Sequence, residues 1–159
     1  MYILKNKEND VIEIKNIGDD KVRSVAIDSK DNIYIGTDDS AFICEKNQTN
    51  AKRITEINEF NSFVYSVVVD KKDNVYFGTK NGLYKSSDNG KNIIKINEIN
   101  EIIYTMIIDS NDNIYIGTRD NIYFLNQNKI NKINSTDNIK YSYFSLIFFD
   151  KNNTPYFIN

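Results

Sequence analysis

The segment IDSKDNIYIGT, residues 27–37, decides the fold, because it returns as VDKKDNVYFGT at 69–79, as IDSNDNIYIGT at 108–118 and, more loosely, as FDKNNTPYFIN at 149–159. The leading aspartates Asp28, Asp70, Asp109 and Asp150 are separated by 42, 39 and 41 residues. A period of about 40 residues is the length of one four-stranded propeller blade, and too long for a leucine-rich or hexapeptide solenoid. The 159 residues therefore read as one all-β domain, a β-propeller of four blades, large enough to bury about two-thirds of the unfolded surface.

Each unit reads as short strands, since β-branched and aromatic residues fill runs that are separated by Asn, Asp, Gly and Lys. In the second unit the pattern predicts strand a over 64–69, b over 74–79, c over 82–86 and d over 92–97. The a–b connection, Asp70 to Asn74, supplies the residues that tolerate left-handed turn geometry. ICEKNQTNAKRITEINEF, residues 43–60, has some helical spacing, but it occupies the c–d slot of the first unit, and the repeat outweighs it.

Full units span 21–60, 61–100 and 101–140, which leaves a half-unit at each end. Residues 141–159 stop after a b strand, while YILKNKENDVIEIKNI, residues 2–17, matches strands c and d of the others. Joined tail to head, the halves make one complete blade and remove two exposed sheet edges. The ring then closes either within one chain as a four-bladed monomer or between two chains as an eight-bladed homodimer.

The stretch DSNDNIYIGTRDNIY, Asp109 to Tyr123, resembles the repeat of two-component-regulator-type sensor propellers, which runs D-x-x-G-N-[IL]-W-[IV]-G-T-x-x-G-L. Tyr34, Tyr76 and Tyr115 stand where that family prefers tryptophan, and Asp31, Asp73 and Asp112 stand at its turn glycine. The resemblance covers nearly the whole chain and implies a sensor-like fold more than an activity. SSDNGKNI, Ser86 to Ile93, is similar to the Asp-box S-x-D-x-G-x-x-W of sialidase-type propellers, with Ile93 in place of the aromatic. In that family the box is a structural turn away from the catalytic face.

Composition excludes several functions. With no histidine and one cysteine, the chain lacks Ser-His-Asp, Cys-His and His-containing zinc chemistry, and one cysteine makes neither an intrachain disulfide nor a thiolate site. Cys44 falls on a predicted c strand without a basic neighbour, which favours packing over nucleophilic chemistry. The repeated aspartates lie in tight turns without the dense oxygen spacing of a calcium loop, so turn capping is expected of them, and no cofactor or metal is called for. Twenty basic and 22 acidic residues give a net charge of −2, unlike the basic footprint that duplex nucleic acid requires. Charges interrupt residues 1–15 every few positions, so no signal or membrane segment is expected there, and with a single cysteine the default location is cytoplasmic.

In a propeller the d–a and b–c connections open on one face, where ligands usually meet the central channel. The starts of the inner strands give Arg23, Tyr65, Tyr104 and, with one extra residue in the last unit, Phe144. The b–c turns after each Gly-Thr give Asp38, Lys80 and Arg119, and the d–a loops add Phe60, Phe63 and Tyr141. Aromatic faces with Arg23 read as a pocket that stacks a planar or sugar ring and pairs an anion, with Lys80 and Arg119 as reinforcement. The competing reading is that bulky inner residues plug a narrow ring and the charges are ordinary solvated loop residues.

The leading function is thus non-catalytic binding of a small anionic or aromatic molecule, such as a nucleotide, or of a protein partner. The alternative is a glycan-active propeller, either a lectin or sialidase-like. A sialidase needs an arginine triad, and of Arg23, Arg53 and Arg119 the second falls on an outer strand. A single asymmetric site fits better than a lectin site on every blade, because Asp38, Lys80 and Arg119 differ in charge.

Overall fold

Runs of valine, isoleucine and tyrosine with Asp-Asn turns between them give the strands and hairpins. The computed structural model describes residues 1–5, 10–18, 20–54, 63–133 and 146–158. A hairpin of β1 (Tyr2–Lys5) and β2 (Asp10–Glu13) precedes three four-stranded antiparallel sheets. The first holds β3 (Val22–Ile27), β4 (Ile33–Thr37), β5 (Ala41–Cys44) and β6 (Lys52–Arg53). The second holds β7 (Val64–Val69), β8 (Val75–Thr79), β9 (Gly82–Ser86) and β10 (Ile94–Ile96). The third holds β11 (Ile103–Ile108), β12 (Ile114–Thr118), β13 (Ile122–Asn126) and β14 (Lys129–Ile133), and a hairpin of β15 (Leu146–Phe149) and β16 (Pro155–Ile158) follows. The predicted strands of the second unit are present, with b and d shorter by one or more residues. Residues 43–54 of the ambiguous stretch belong to the β5–β6 hairpin, in the register Phe42 to Arg53 and Ile43 to Lys52, and 55–60 lie outside the described residues.

The repeated a–b turn explains its own sequence. The Asp28 carboxylate accepts from the backbone N–H of Lys30 and Asn32, from the Asn32 side chain and from the Tyr34 hydroxyl, and Asp70 and Asp109 cap their turns in the same way through Asn74 and Asn113. Asp31, Asp73 and Asp112 have φ of 65°, 59° and 62°. These positions need the left-handed region that glycine would otherwise supply, and a short polar side chain reaches it at modest cost.

Successive sheets pack through their inner strands: β3 on β7, β7 on β11 and β11 on β15. Gly36 and Gly78 permit that approach. A Cβ on Gly36 would lie 2.8 Å from the Val64 carbonyl oxygen, and one on Gly78 would lie 2.5 Å from Ile103 Cγ2. Beside them, Ser24 Oγ accepts from the Val67 N–H and Ser66 Oγ from the Met106 N–H, each at 3.0 Å. Tyr34, Val64, Val67, Phe77 and Tyr84 fill the layer between the first and second sheets. Tyr76, Leu83, Ile99, Ile103, Met106 and Ile116 fill the next. Each fully buried side chain of this size is worth about 1.5–3 kcal/mol.

The two ends do not join within the chain, as the four-bladed monomer alternative would have them. β1–β2 and β15–β16 are separate two-stranded sheets. The reason is where each hairpin is anchored. Lys15 bridges Asn50 in parallel, its N–H donates to the Thr49 carbonyl at 2.7 Å, and Ile14 and Ile17 pack on Ile35, Phe42, Cys44 and Ala51 of the first sheet. β15 lies against the third sheet, where Phe149 meets Tyr115 edge to face.

Candidate functional site

The structure brings together much of the face on which the d–a and b–c connections open. The Lys80 N–H donates to the Phe63 carbonyl and the Asp38 N–H to that of Lys21, so the first two b–c turns are tied to the residues that lead into their own inner strands. Phe63 and Tyr65 stack with ring centroids 5.6 Å apart and planes 12° from parallel, and Tyr65 meets Tyr104 of the next sheet at 5.6 Å and 46°. All three rings are half-buried. They form a continuous aromatic shelf across two inner strands, with Lys80 exposed on its rim.

Arg23 does not offer an open guanidinium. Its Nε and Nη2 both donate to Asp38, the second at 3.1 Å. The pair holds the Asp38 carboxyl below its ordinary value and raises that of Arg23, with the nearby Tyr65 as a smaller contributor to the latter. Both residues were candidates for ligand contact, and in the structure they bind each other. Arg119 lies exposed on the third b–c turn. Phe144, Phe60 and Tyr141 fall outside the described residues.

Arg53 sits on the outer strand β6, as the sequence predicts, and turns back to the first b–c turn, where it donates to Ser40 Oγ at 2.8 Å and to Asp39 at 2.7 Å. It therefore braces that turn from the outside, while Arg23 holds Asp38. Cys44 is buried, its thiol donates to the Gln48 carbonyl at 3.3 Å, and burial pushes its pKa up, which suits a packing residue. The repeated aspartates cap turns, and among the described residues no group of three acidic or sulfur side chains is placed to hold a metal ion.

Two features carry no obvious signal in the sequence. Glu101, between the second and third sheets, accepts from Thr118 Oγ1, from Asn121 Nδ2 and from the Tyr123 hydroxyl. Burial pushes its carboxyl up, but the bonds from Tyr123, Asn121 and Thr118 outweigh that and leave it lowered, while burial and this contact push Tyr123 up to about 12. The other is a cavity of about 260 Å³ at the opposite face, between the second and third sheets, lined by Asp70, Lys72, Tyr76, Lys85, Asp112 and Asn128 among others. Lys85 Nζ lies 5.2 Å above the Tyr76 ring and 3.4 Å from Asn128 Oδ1. The Glu101 position has a counterpart in the first unit, where Thr37 Oγ1 donates to Asp20 at 3.5 Å.

No family model and no curated protein matches the chain. Solved structures do. Over 98% of its length the chain is similar to the extracellular domain of the putative one component system BT4673 from B. thetaiotaomicron, with 19% identity and a TM-score of 0.75. It is similar over 92% to the extracellular domain of the putative hybrid two component system BT3049 from the same organism, with 21% identity and a TM-score of 0.69. Over 91% it is similar to a catalytically inactive virginiamycin B lyase from Staphylococcus aureus, with 14% identity and a TM-score of 0.71. It spans 23% and 22% of the two sensor chains and 50% of the lyase chain. These likenesses establish a β-propeller-type fold built on a repeat. They overturn the cytoplasmic location expected from cysteine usage, since the sensor structures are extracellular domains. One buried cysteine with nothing to pair with is as compatible with an oxidising compartment as with a reducing one.

Proposed function

We propose that the chain is a non-catalytic, ligand-binding β-propeller of the extracellular or periplasmic sensor kind, with four units, which receives a small ring-shaped molecule on the shelf Phe63–Tyr65–Tyr104. The observation that carries this reading is the shelf itself: three half-buried rings from two sheets, in contact with one another at the mouth of the inner strands. Stacked aromatic faces accept aromatic or sugar rings through their π surfaces, at about 0.5–1.5 kcal/mol per well-placed pair. Because Asp38 occupies Arg23, anion recognition falls to the rim, where Lys80 stands.

The lack of catalytic histidine supports a binding role. The lyase in the comparison is inactivated by replacing one histidine with alanine, and this chain has none. The turn at 86–93 supports a structural role for its Asp-box-like sequence, since Ser86 Oγ accepts from the Gly90 N–H and Asp88 accepts from the Asn92 N–H, all within the turn.

Ligand-observed NMR tests the reading. A mixture of nucleosides, aromatic acids and monosaccharides is screened against the parent chain and against a Tyr65→Ala, Tyr104→Ala double variant. Saturation transfer to a ring that disappears in the folded double variant is the expected result. Hits that persist in that variant would place the site elsewhere.

A further inference from the structure

Two sheet faces at opposite ends of the row are apolar and uncovered. On β3, Val22, Val25 and Ile27 are 37%, 44% and 58% exposed, whereas Val64 and Val67 at the equivalent places on β7 are 0% and 4% exposed and Ile103 and Met106 on β11 are 0% and 4% exposed. Those covered residues face the preceding sheet. At the far end, Phe148, Tyr156 and Ile158 are 44%, 47% and 46% exposed. Their equivalents Val68 and Tyr76 are 8% and 5% exposed and face the following sheet. Phe148 and Tyr156 stack on each other at 5.3 Å and make one flat apolar surface.

The polar contacts between units stop at the same two places. Asp73 accepts from Ser29 and Asp112 from the Lys71 N–H, each one unit back. Asp31, their equivalent in the first unit, has a 66% exposed side chain whose ion pair is with Lys46 of its own sheet. At the other end Lys151 occupies the position of Lys71. An acceptor waits at one end of the row and a donor position at the other. The edges agree with this. β16 is the free edge of a two-stranded sheet that corresponds to strands a and b, and β1–β2 corresponds to strands c and d, fixed on the first sheet by Lys15. Within one chain the three four-stranded sheets lie between them.

We infer that a second copy of this chain occupies both ends: β15–β16 of each copy joins β1–β2 of the other as a four-stranded sheet, and the Phe148–Tyr156 face covers Val22, Val25 and Ile27 of the other copy. The inference rests on the propeller reading above, but not on its ligand. A chain that fits half of the lyase, at a TM-score of 0.71, has the curvature of a partial arc, and a second arc supplies the rest. The contact is head to tail, which forms a ring where the rotation closes. The seam differs from the internal contacts in one respect: Ile158 stands where Gly36 and Gly78 admit the next inner strand, so the other copy's β3 rests farther out, on the Ile158 side chain.

The test is light scattering with size-exclusion chromatography on the 159-residue chain and on two variants, Val25→Asp and Phe148→Asp, each checked for its strand circular dichroism spectrum. The expected parent mass is twice the 18.5 kDa chain. Each variant alone elutes as a monomer, with dimer affinity lowered about a hundredfold or more, because a carboxylate is then buried without a partner. Mixed, the two restore a one-to-one dimer, since one seam then joins two unaltered faces. A monomeric parent, an open-ended polymer, or folded variants that fail to complement would overturn the inference. None of these outcomes bears on the aromatic shelf, which lies within one chain.

Discussion

Asp73 closes its own turn at φ 59° and, with the same side chain, accepts the backbone N–H and the hydroxyl of Ser29 in the preceding sheet, each at 2.8 Å. Glycine at this position supplies the turn alone. Aspartate supplies the turn and a link between units, and Asp112 repeats the link to the Lys71 N–H at 3.1 Å. The backbone bond from Ser29, followed by its hydroxyl, draws the Asp73 carboxyl below its ordinary range.

The two roles separate by substitution. Asp73→Gly keeps the turn and loses the link, and Asp73→Ala loses both, because alanine enters the left-handed region less readily. Thermal melting is expected to rank the parent above Asp73→Gly and Asp73→Gly above Asp73→Ala. Equal melting of the two variants would show that the turn conformation contributes nothing.

Stability is expected to fall in acid. Glu101, Asp109, Asp88 and Asp73 all have carboxyls lowered in the folded chain. A lowered folded value means that the unfolded chain binds protons first as pH drops, so their contribution is present above the ordinary carboxylate range near pH 4 and is lost as pH falls through the folded values. Urea unfolding should give a nearly constant free energy between about pH 5 and 7 and a steep decline below about pH 4. Glu101→Gln should flatten part of that decline, and an unchanged slope would remove Glu101 from the account.

Gly36→Ala tests how closely the sheets approach. The new methyl would lie 2.8 Å from both the Val64 carbonyl oxygen and Val64 Cγ1, and the backbone atom has no rotamer by which to retreat. The expected cost is about 1–3 kcal/mol by chemical denaturation, typical of overpacking. Gly18→Ala is the contrast. Its φ is 67°, and a Cβ there would meet nothing closer than 3.9 Å, so only the backbone preference is lost.

Much of this was legible in the repeat. Spacing and the runs of β-branched and aromatic residues predicted the four-stranded units, and the Asp-x-x-Asp-Asn turns predicted the capping that Asp28, Asp70 and Asp109 carry out. The bond between Arg23 and Asp38 was not legible, because it joins the start of one strand to the turn after the next, and either residue by itself reads as a ligand contact. Glu101 was missed for a related reason: its donors assemble only once Thr118, Asn121 and Tyr123 have been folded over it. Which of the two ring closures applies was not legible, because period and edge logic say that two halves are complementary without saying where each is anchored, and Ile14 and Ile17 fix one of them to the first sheet.

The pairing of Arg23 with Asp38 leads to the last expectation. Arg23 on β3 and Tyr65 on β7 occupy equivalent positions on inner strands that pack together, so the guanidinium stands beside the shelf while Asp38 occupies it. Removing the carboxylate in Asp38→Ala should open it to an anionic ring that stacks on Tyr65. Benzoate, titrated by NMR at low and high salt, is a suitable probe. The parent should bind it weakly, through stacking and the exposed Lys80 on the rim. Asp38→Ala should bind it about tenfold more tightly at low salt, as one charge-assisted bond of about 1.5 kcal/mol allows, and lose that gain at high salt. Asp38→Ala with Arg23→Gln should return to the parent value. If the single variant gains nothing while Tyr65→Ala still weakens binding, Arg23 serves only to hold the b–c turn, and the shelf alone recognises the ring.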